Sequence, residues 1–65
     1  MTMDRKTLTA RLRQLQAVDM NALAIYTELS ESAKDESQRK VFSGIAADER
    51  RHVDLGKKML SLLEK

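Results

Sequence analysis

Residues 32–38 read "SAKDESQ", and this is where the apolar periodicity of the chain lapses. Ser32, Asp35 and Ser37 are residue types whose side-chain oxygens bond the free backbone N–H groups at the start of a helix. The interval therefore predicts one break between two helices. Helix one is expected from about Asp4 or Thr7 to Ala33, the turn at about 34–36, and helix two from about 36 to Leu63. Residues 1–65 then form a single helical hairpin, with no internal repeat and no stretch long enough to be a linker.

Outward from the break, each flank carries an apolar line at helical spacing. Helix one has Leu8, Leu12, Leu15, Asp19, Ala22, Tyr26, Leu29 and Ala33, separated alternately by four and three residues, which places them on one seam. Helix two has Phe42, Ile45, Glu49, His52, Gly56, Met59 and Leu63. Val18 and Ile25 on the first helix, and Val41, Ala46, Val53 and Leu60 on the second, broaden these seams. Each helix thus has more apolar surface than one neighbour covers. The expected fold is all-α, an antiparallel two-helix hairpin that dimerises into a four-helix bundle.

Composition agrees with helices. The chain has no proline, two glycines and no cysteine in 65 residues, and it is rich in Leu, Ala, Glu, Lys, Arg, Gln and Met. So short a chain seldom builds an adequate core alone. Without cysteine it has neither disulfides nor thiolate zinc sites, which leaves association and a metal held by His and carboxylate.

The net charge of +2 comes from 12 basic and 10 acidic residues. It describes a solvated helical surface rather than a nucleic-acid stripe, and the cluster Arg5, Lys6, Arg11 and Arg13 reads as a charged face of helix one. One Tyr and one Phe give no stacking platform for single strands. No apolar run reaches the ~18 residues of a membrane span, and the N-terminus "MTMDRKTLTARL" has no signal-peptide core. The expectation is a soluble, cytoplasmic protein that binds neither nucleic acid nor membrane.

Three residues break the seams: Asp19, Glu49 and His52. Folding the hairpin about residues 34 and 35 puts Asp19 about as far before the turn as Glu49 and His52 lie after it, so at ~1.5 Å rise per residue they share one layer. Glu49 and His52 form Glu-x-x-His, the spacing at which a carboxylate and an imidazole on one helical face meet one ion. A two-fold axis through that layer would gather four carboxylates and two imidazoles, a set suited to two iron or manganese ions, with zinc also possible. Ionisable groups in a small core need a partner, and a metal supplies it. The sequence thus names Asp19, Glu49 and His52 as metal ligands and reactive residues. Tyr26, one heptad on, is a core aromatic whose hydroxyl is in reach of a ligand carboxylate. Glu28, Glu31, Glu36, Asp48 and Asp54 fall off the seam and read mainly as solvated charges.

From "LAIYTELSESAKDESQRKVFSGIAADERRH" (residues 23–52) the chain resembles the two-helix half-bundle of the ferritin-like superfamily, especially its rubrerythrin-type and encapsulated-ferritin branches. The similar elements are Tyr26, the polar turn at Asp35, Phe42, Ala46, Glu49 and His52. In that family the helix-one ligand is a glutamate one heptad before the tyrosine, where this chain has Asp19, shorter by one methylene. The resemblance implies a di-iron (Fe) centre with ferroxidase activity, oxidising ferrous iron with dioxygen or peroxide for storage or detoxification. It also implies subunits paired with copies of themselves, assembled into rings or delivered into an encapsulin shell. The rubredoxin-like cysteine domain of full rubrerythrins is missing, so peroxide reduction by an in-chain electron donor is not expected.

A second class of function fits the same residues. In it the hairpin is a non-catalytic module that self-associates or docks a partner helix, with Glu49 and His52 as a polar specificity device in the seam.

Overall fold

Asp4 and Asp35 start the two helices. In a computed structural model describing residues 2–64, the Asp4 side chain accepts the Thr7 backbone N–H at 2.7 Å and Asp35 accepts that of Ser37 at 2.9 Å. These bonds satisfy donors that the first helical turn leaves free. They open α1 (Arg5–Ser32) and α2 (Glu36–Leu63), each 28 residues long. Ala33 leaves the helix with extended backbone, and the Arg39 guanidinium donates to the Ala33 carbonyl at 2.9 Å while pairing with Glu36 at 3.3 Å. The connection is thus closed by α2's own first turn. Met1 and Lys65, which belong to the expected hairpin of 1–65, lie outside the described residues.

The helices run antiparallel over their full length, since Ser30 bonds Ser43 near the turn and Arg13 pairs with Glu64 at the open end. The result is a rod of 47 × 18 × 16 Å. Its radius of gyration is 14.9 Å, against about 11 Å for a compact domain of this length. Its accessible surface is 5270 Å², roughly a quarter above the ~4,200 Å² expected of a folded monomer of this mass. Among the described residues only Val53 is buried, at 6% exposure. No helix among them is long and apolar enough to cross a membrane.

The line along which the helices touch differs from the expected seam by one residue in alternate turns. Half-buried positions of α1 include Thr9, Leu12, Gln16, Asp19, Leu23, Tyr26 and Ser30, with Ala33 just past its end, and those of α2 include Phe42, Ala46, Glu49, Gly56, Leu60 and Leu63 around buried Val53. Ala22 and Ile45 of the expected seam are half-buried beside this line. Leu8, Leu15, Leu29 and Met59, expected on the seam, are exposed, and His52 stands at its edge. Each apolar strip is wider than one neighbour covers, and the helices meet along one margin of it. The other margin stays in water.

That uncovered margin forms one face. Counted in heptads from the contact line, nine of the eleven exposed large hydrophobics fall on the same flank of the hairpin: Leu8, Leu15, Val18, Ile25 and Leu29 from α1, and Val41, Leu55, Met59 and Leu62 from α2. The opposite flank is polar, with Thr27, Ser30, Glu31, Ser43 and Arg50 around a shallow groove floored by Ala46 and Ala47. The hairpin therefore has one wet side and one greasy side.

Candidate metal centre

Midway along the rod the contact line turns polar. Asp19 lies near the centre of α1, and Glu49 and His52 near the centre of α2. One ligand atom from each of the three lies within 4.8 Å of the others. The structure thus brings together the three side chains that break the sequence pattern. Asp19 and Glu49 are half-buried on the contact line, whereas the His52 side chain is 53% exposed at its greasy edge.

Glu49 is the least satisfied member. Its side chain is 19% exposed, and its Oε2 is buried without a hydrogen-bond partner. The His52 Nδ1 is 3.9 Å from Oε1, beyond hydrogen-bond range. A buried carboxylate oxygen without a donor is costly. A cation among the three side chains would satisfy it, and two carboxylates with one imidazole are donors that iron, manganese and zinc accept. The residues present fit a divalent metal.

On the open-end side of the cluster lies a groove of about 260 Å³, lined by Leu12, Leu15, Gln16, Asp19, His52, Leu55, Gly56 and Met59. It opens on the greasy face, so the cluster sits mid-length on the apolar flank rather than on the wet one. Tyr26 is half-buried on the same line, seven residues nearer the turn. Glu28, Glu31, Glu36, Asp48 and Asp54 are exposed, and two of them are paired, Glu36 with Arg39 and Asp48 with Arg51 at 2.8 Å.

Sequence reasoning missed Gln16. Its side-chain Nε2 donates to the Val53 carbonyl at 2.9 Å across the helix interface, and its amide lies over Gly56. A polar residue three before Asp19 and opposite a glycine was the available signal, hidden because the seam was placed one residue away at Leu15. The comparisons with protein-family models, with curated proteins and with solved structures returned no match for the chain.

Proposed function

We propose that this chain is a ferritin-like di-metal carboxylate protein that oxidises ferrous iron with dioxygen or peroxide for iron storage or detoxification, its site formed between two copies in the cytoplasm. The observation that carries this reading is the orphaned Glu49 Oε2 inside the Asp19–Glu49–His52 cluster. The cluster's place supports the pairing. It stands at mid-length and against the apolar face, so a two-fold axis there superposes two sites while covering both greasy flanks.

Asp19 and Glu49 would hold the ion with anionic oxygens, which favour the higher charge of ferric iron, and His52 would offer a neutral ring nitrogen. Bound iron supplies one-electron chemistry toward dioxygen or peroxide. Leu15, Leu55 and Met59, once covered by a second copy, keep bulk water from the groove beside the ligands. Asp19 has less reach than a glutamate and sets a weaker hold on the ion.

The test joins composition and mass: elemental analysis of protein purified without chelator, its mass in solution, and its rate of ferrous oxidation. The expected result is an even-numbered oligomer carrying iron, or manganese or zinc in its place, with ferrous oxidation above the uncatalysed rate. A second reading is favoured by the apolar face alone, a helical module that associates without metal. An oligomer that takes up no transition metal supports that reading and removes the first.

A further inference from the structure

We infer that Gln16 is a positioning residue: its amide locks α1 to the backbone of α2 in the register that brings Asp19 to Glu49 and His52. The inference rests on the metal-binding reading of those three residues and names what holds them in place.

The need for such a lock follows from the interface. Helices meeting through one buried valine and a line of half-buried neighbours have little in their apolar contacts to oppose small slides or rotations. Metal coordination is less tolerant. Ligand distances must hold to within about 0.2 Å, and a slide of one residue moves a carboxylate by ~1.5 Å. A directional bond next to the site meets that need.

The Gln16–Val53 bond stands there. Gln16 precedes Asp19 by one turn on the same line of α1, while Val53 follows His52 directly and Glu49 by one turn on α2. Each end of the 2.9 Å bond is therefore within a turn of a proposed ligand, and the bond is partly buried, away from competing water. The Val53 carbonyl has two lone pairs, so it can take the Gln16 amide in addition to its place in the helical ladder.

Gly56 makes room for this contact. A Cβ built on Gly56 would stand 2.0 Å from the Gln16 Oε1 and 3.0 Å from its Cδ. Even a methyl group would evict the amide. A helical glycine here otherwise weakens α2, and its use is to admit Gln16. The other interhelical side-chain bonds among the described residues, Ser30 to Ser43 and Arg13 to Glu64, are exposed and near the two ends of the rod.

The test uses the full chain and cobalt(II), whose affinity and visible absorption report on ligand number and geometry. Gln16→Leu removes the amide. Gly56→Ala displaces it by a different route, and because only the far end of a flexible side chain must move, while alanine favours helix, this variant keeps its fold. Each change is expected to weaken cobalt binding about tenfold and to alter the absorption bands, with helicity retained. The double variant should lose no more than either single one, because both act on one contact. Unchanged affinity and spectra in both single variants, or losses that multiply in the double variant, would overturn the inference while leaving the metal site standing. Failure of the unmodified chain to bind cobalt removes the metal reading, and the positioning role with it.

Discussion

Asp19 on α1 and Glu49 on α2 face each other at mid-rod, with carboxylate oxygens within 4.8 Å of one another and of a ring nitrogen of His52. Two anions held so close repel unless a cation lies between them. Removing one should then weaken cation binding directly. Asp19→Ala is expected to lower the affinity for ferrous or cobaltous ion by at least ~10-fold, as loss of even a supporting group does at such sites. Asp19→Glu, which restores the missing methylene, should tighten binding or speed ferrous oxidation. Calorimetric titration of the three proteins checks this, and equal affinity in Asp19→Ala would take the residue out of the site.

Asp4 offers a test in acid. The backbone N–H of Thr7, and secondarily its side-chain hydroxyl, hold the Asp4 carboxyl below its usual value of 3.8. A lowered value means that the fold favours the ionised form. The stabilisation is complete above the unfolded value and is lost as pH falls through the lower folded one. No acidic residue lies in the first turn of α1, so the Asp4 carboxylate alone complements the helix N-terminus there. The protection of the Thr7 amide, taken as its exchange rate relative to an unstructured chain at the same pH, should therefore fall below about pH 4 in the unmodified chain. With Asp4→Asn, whose cap does not titrate, that dependence should largely vanish. The same acid dependence in both proteins would contradict the assignment.

Both helices and their break were legible because the caps and the lapse at residues 32–38 are local signals. So was the common layer of Asp19, Glu49 and His52, since helical rise alone aligns residues equidistant from a turn. The pairing margin was not legible. Leu15 and Gln16 sit side by side on α1, and periodicity assigned the leucine to the interface, whereas the structure gives that place to the glutamine and exposes Leu15 at 55%. An apolar strip broad enough for two neighbours does not say which one is the chain's own second helix. The role of Gly56 was hidden for the same reason, because the side chain that crosses it had been placed elsewhere.

The exposed margin predicts a selective effect on assembly. In the lone hairpin Leu15 and Leu55 are about half exposed, so Leu15→Glu or Leu55→Lys should change hairpin stability little, within roughly 0.5 kcal/mol. In an associated form the same changes bury a charge, which costs several kcal/mol. Sedimentation at micromolar concentration should show oligomer for the unmodified chain and monomer for both variants. Met20 is as exposed as Leu55 but lies on the other flank, so Met20→Glu should leave the mass unchanged. Dissociation by all three variants would mean that the apolar flank is not the interface.

Glu49 gives the sharpest separation of stability from function. Its Oε2 is buried without a partner, an arrangement that costs about 1–3 kcal/mol when nothing satisfies it. Leucine has a similar volume, lacks the polar atoms and suits a contact line that continues through Ala46 and Val53. In chelator, Glu49→Leu should therefore be more stable than the unmodified chain, and ~1 kcal/mol corresponds to a rise of about 4–8 °C in Tm for a domain of this size. Metal reverses the order. A ligand at a hundred times its dissociation constant stabilises the form that binds it by ~2.7 kcal/mol, and the leucine variant, lacking the central carboxylate, receives little of that. The two proteins should exchange rank in thermal unfolding as ferrous or zinc ion replaces chelator. If Glu49→Leu is instead the less stable protein in chelator and metal moves neither melting curve, the carboxylate has a structural role within the hairpin, and the non-catalytic module is the better account of the chain.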